Sequence, residues 1–114
     1  MIQRMPFSEI TKLDLVPQAI LRKPLSYFQR HLHMDIVRGE DDLDAFEGAA
    51  LSLNGTLPFA LKHYAGYPEN TTTIYLSGNV TDIDAITSII NTIVRELELN
   101  NEAVEWQRSD DPDL

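Results

Sequence analysis

Three residues have types and spacing that suit a metal ion: His31, His33 and Asp35, with one residue between each and the next. Side chains alternate along a β-strand, so all three would project from one face, and imidazole and carboxylate are both common ligands. His63 is the candidate fourth ligand if its strand lies beside theirs. Any half-buried strand with a wet side shows the same alternation. On a helix His31 and His33 would point apart. The plainer account is a solvated face; the set His31, His33 and Asp35 is the alternative.

Other chemistry finds less support. The chain has no cysteine, which excludes disulfides and thiolate ligands. No G-x-S-x-G elbow sets a serine on a sharp turn. Ser77-Gly78-Asn79 has the place of an anion-binding turn ahead of a helix, but it lacks the glycines and the lysine of a phosphate loop, and two aspartates follow it. The acidic run Glu40, Asp41, Asp42, Asp44 lacks the spacing of a calcium loop. No catalytic residue and no cofactor is therefore expected.

A different signal concerns association. Tyr64, Tyr67 and Trp106 offer large area with a polar tip, as interfaces favour. Leu15 and Ile20 lie in an apolar stretch broken by Pro17 and Pro24, which needs cover from its own domain or from a second chain. These five are the candidate interface residues, and Tyr64 and Trp106 could equally cap the core of a small domain.

Charge narrows the partners. The net charge is −9, from 9 bases and 18 acids. Residues 1–38 hold 6 of the bases and 3 of the acids, so the first third is basic and the remainder strongly acidic. An acidic body repels a phosphate backbone, which argues against nucleic acid. No apolar run is long enough to span a bilayer, and the start has no apolar segment of the signal-peptide kind. With no cysteine, a cytoplasmic location is expected.

The elements that must position these residues follow from periodicity. Ile83, Ile86, Ile89, Ile90, Ile93, Val94 and Leu97 recur at steps of three and four, predicting one long amphipathic helix over about 82–98. Thr81 is its expected N-cap, and Asn100-Asn101 its stop. Alternation predicts strands over about 45–53, 56–64 and 71–77, the first two joined at Asn54-Gly55, a strong hairpin signal. Val104 and Trp106 make a short last strand over 103–107. Residues 25–37 read two ways: a helix over 25–32 passing into extended chain, which is better supported, or a strand through Leu32, Met34 and Ile36. The expected fold is α+β: a three-stranded antiparallel meander covered by the long helix, within one domain over 25–108. Residues 1–24 are expected as an extended N-terminal arm and 109–114 as a disordered acidic tail.

The function expected from this is a small acidic non-enzymatic protein acting through protein–protein interaction. It would self-associate, as a homodimer, or inhibit a basic partner. Immunity and antitoxin-like proteins are analogous in charge and size only. The alternative is a small metal-dependent or ligand-binding enzyme using His31, His33 and Asp35.

Overall fold

Leu51 and Leu53 must share an apolar face with Leu57, Phe59 and Leu61, and that requirement sets the register at the centre of the molecule. The structure is a computed structural model and describes residues 2–6, 8, 14–41, 44–99 and 104–106. Its elements in chain order are β1 (Ile2–Arg4), β2 (Leu15–Leu21), α1 (Leu25–Leu32), β3 (Val37–Asp41), β4 (Asp44–Leu53), β5 (Leu57–Tyr64), β6 (Thr72–Ser77), α2 (Ile83–Glu96) and β7 (Val104–Trp106). The expected architecture is corrected here. In place of a three-stranded meander under one long helix, the described residues form a seven-stranded antiparallel sheet on which two short helices, α1 and α2, pack.

The strand order is β1-β4-β5-β6-β2-β7, with β3 also paired to β4. The strands expected near 45–53, 56–64 and 71–77 are only its centre. Parts of the expected arm extend the sheet on both sides. Ile2–Arg4 pairs with Leu51 to Leu53, and Leu15–Leu21 inserts between β6 and β7. Two antiparallel steps make β7 parallel to β6, with β2 between them. Pro17 is tolerated because β7 reaches only Ala19 to Leu21, and the register shifts between Pro17 and Ala19. Pro58 likewise lies just past the β5–β6 ladder, which ends at Phe59. The tail at 109–114, position 103 and the expected helix stop at Asn100-Asn101 lie outside the described residues.

One face of the sheet carries Ala19, Leu21, Ala49, Leu51, Leu53, Phe59, Leu61, Ile74 and Leu76. Against it pack Leu25 and Phe28 of α1 and Ile86, Ile90, Ile93 and Val94 of α2, with Leu97 just beyond its end. Burying the α2 stripe offsets its β-branched composition, since β-branched residues favour helix weakly. Ile83, expected on that stripe, is 43% exposed in the first turn. The N-cap is Asp82, not Thr81: its carboxylate accepts the Ala85 amide at 3.2 Å. Both helices close through a left-handed residue. After α2, Glu98 has φ 58°, with Glu98 N–H donating to Arg95 O and Leu99 N–H to Val94 O. After α1, His33 has φ 52°, with its own N–H and that of Met34 donating to Gln29 O. These are glycine positions filled by larger residues.

Candidate functional site

His31, His33 and Asp35 stand where a helix ends, so the single strand face needed to gather them does not form. His31 sits in the last turn of α1, stacked on Tyr27 with ring centroids 5.9 Å apart. Its Nε2 lies 3.3 Å from Glu96 O; a carbonyl only accepts, so Nε2 carries the proton. Tyr27 Oη–H donates to Leu97 O at 3.3 Å. Two side chains of α1 thus satisfy carbonyls that the end of α2 leaves without helical partners. His33 is the left-handed C-cap and exposed, and Asp35 is an exposed residue of the following loop. His63 is on β5, where its Nδ1 meets Thr71 O at 2.9 Å. Among the described residues no group of three His, Cys, Asp or Glu is arranged to hold a metal ion.

The candidate interface residues also separate. Leu15 packs partly buried against Ala50 and Ala60 on the sheet face away from the helices. Ile20 is half-buried, opposite Thr73 on one side and Glu105 on the other. Tyr64 is half-buried with its ring 5.9 Å from that of Tyr67. Tyr67 at 48% and Trp106 at 38% are the exposed members.

What the structure does assemble lies around β3, β4 and β5. On the face away from the helices, Lys62 is 8% exposed. Its ammonium sits 4.5 Å from the Phe46 ring centroid, 5.0 Å from Tyr75 and 5.9 Å from Tyr64. The ring faces offset the loss of water around that charge. Two glycines make the arrangement fit. A Cβ on Gly48 would stand 2.8 Å from Leu61 O and 3.1 Å from Lys62 Cγ, so the lysine stem lies over bare backbone. A Cβ on Gly39 would meet Phe46 Cζ at 2.9 Å, so the end of that ring occupies the space a side chain would take there.

On the helix-bearing face the same strands present a polar row. Arg38 pairs with Glu47, and Glu47 with His63, as direct cross-strand neighbours. Arg38 Nε reaches Glu47 Oε1 at 3.2 Å with both side chains largely in water, so this bridge contributes at most about 1 kcal/mol. The row lines an open cleft of about 620 Å³ that also includes Glu40, Ala45 and Ala65. The cleft runs along β3, whose described pairing is with β4 alone. Its backbone groups and charged side chains can hold an extended, charged strand.

Reading the sequence by strand found neither the aromatic ring around Lys62 nor the polar row. Parity gave a signal: Phe46 and Gly48 alternate away from Leu51, and Lys62 and Tyr64 away from Leu61. The missing information was the register that sets Gly48 against Lys62 and Phe46 against Tyr64.

No family model matches the chain, and neither a curated protein nor a solved structure matches it. Among the described residues no helix is long and apolar enough to cross a membrane.

Proposed function

We propose that this protein works through protein–protein contact rather than catalysis, and that its first partner is a second copy of itself. The observation that carries this is the β3 edge: a strand with described pairing on one side, bordered by a charged cleft and bearing Val37 at 38% exposure. An unpaired edge offers a row of backbone donors and acceptors to another chain. A reducing, cytoplasmic setting accords with a chain free of cysteine. Light scattering over a concentration series tests the reading: a mass rising toward twice the 12.9 kDa of one chain is expected, and a constant single-chain mass would defeat it.

One observation favours the second reading, a basic partner. Between positions 40 and 47 the sequence holds five acids and no base. Such a charge run raises encounter rate with a basic surface more than it raises affinity. Titration with polylysine at low and high salt separates the two: tight binding by a monomeric protein, lost in salt, would favour the basic partner.

A further inference from the structure

We propose that two copies of this chain pair antiparallel along their β3 edges about a two-fold axis at Gly39, so that Arg38 of each copy faces Glu40 of the other. The proposal rests on the self-association reading above and specifies its surface.

Register follows from side-chain parity and charge. Along β3, Arg38 lies opposite Glu47 and Glu40 opposite Ala45, so both are on the helix-bearing face; Val37 and Gly39 are on the other. A two-fold axis perpendicular to the sheet keeps like faces together. Residues meeting across the new ladder must then share a face, which removes every register that is out by one. Three registers remain for a strand this short. Centred on Arg38, guanidinium meets guanidinium; centred on Glu40, carboxylate meets carboxylate. Centred on Gly39, both Arg38–Glu40 pairs are formed with opposite charges directly across, the favourable cross-strand arrangement.

The local structure fits that centre. Gly39 meets its own copy at the axis, where a side chain would oppose itself, and the space above Gly39 is already filled by its own Phe46 ring. The Arg38 side chain is 82% exposed and engages Glu47 through Nε. Its planar guanidinium carries five donors, enough to hold a second carboxylate. The row on each copy then reads His63, Glu47, Arg38 and Glu40 of the second copy. Both Arg38–Glu40 pairs lie at the mouth of the cleft. The other outer strands among the described residues, β1 and β7, span three residues each, and Glu105 of β7 is held by Arg22 at 2.8 Å within the same chain. Five residues of strand make a small interface, so a weak, concentration-dependent dimer is expected.

Charge reversal tests the register without touching the core. Glu40→Arg sets Arg38 against arginine in both pairs and should raise the dimer dissociation constant by about tenfold or more. Arg38→Glu should do the same. Equimolar mixing of the two variants re-forms four complementary charges across one interface, so the mixture should dimerise as a heterodimer where neither variant does alone. Sedimentation velocity reads all three, with circular dichroism confirming the fold. If Arg38→Glu is lost to its new contact with Glu47, the single variant E40R, which leaves Arg38 and Glu47 paired, carries the test. A wild-type protein monomeric up to about 0.5 mM would overturn the self-association reading itself. A wild-type dimer untouched by Glu40→Arg would overturn the β3 interface and leave self-association standing.

Discussion

Replacing His33 by glycine separates a metal-ligand role from a backbone role. His33 closes α1 at φ 52° and ψ 40°, and its N–H bonds Gln29 O. An L-residue held left-handed costs roughly 1–2 kcal/mol, at the low end for histidine, whereas glycine adopts the conformation freely but loses about 0.4–1 kcal/mol through its larger unfolded-state entropy. The net expectation for His33→Gly is no loss and a gain of up to about 0.6 kcal/mol. At about 2.1 cal/mol/K of unfolding entropy per residue, a chain of 114 residues gains up to roughly 2–3 °C in Tm. His33→Ala is the control: it removes the imidazole and keeps the Cβ, so it should change stability by less than about 0.5 kcal/mol. Both are measured by thermal and urea unfolding with and without added zinc. Two findings would refute the reasoning: a stability loss of similar size in both variants, or a zinc-dependent rise in Tm that the wild type shows and both variants lack.

Three further outcomes test the packing. Ile90 is fully buried under the sheet, so Ile90→Asp places an unpaired carboxylate in the core at a cost of several kcal/mol and should leave the protein unfolded or aggregated; a cooperative wild-type melt would remove α2 from the core. Gly55→Val forces a β-branched residue to φ 73° and should cost about 1 kcal/mol or more in urea unfolding, with no loss meaning that the turn adopts another conformation. Gly48→Ala drives a methyl against Leu61 O, a backbone atom that moves only if the β4–β5 ladder opens, and against the Lys62 stem. A loss of about 1–3 kcal/mol is expected, and wild-type stability would show that the strands do not approach this closely.

What the sequence by itself determined was local. The three-and-four spacing of Ile86, Ile90, Ile93, Val94 and Leu97 marks a helix because a single turn of backbone brings those side chains to one side. Asn54 and Gly55 mark a turn, and both do take positive φ. Tertiary structure decided the rest, because sheet partners are chosen across the chain and a strand's own pattern does not name its neighbour. Leu15–Leu21 joined the sheet by pairing with Thr72–Ser77, more than fifty residues away, where the prolines alone suggested an arm. The hairpin loop took in Thr56, setting Leu53 opposite Leu57, where a two-residue loop would set it opposite Thr56. The smaller loop would have put Leu51 and Leu53 on the other face from Phe59 and Leu61, and burial of one apolar face outweighs turn preference. The site was decided in the same way. Arg38, Glu47 and His63 form a row only once β3, β4 and β5 are in register. His31, His33 and Asp35, adjacent in sequence, separate because α1 carries the first and ends at the second.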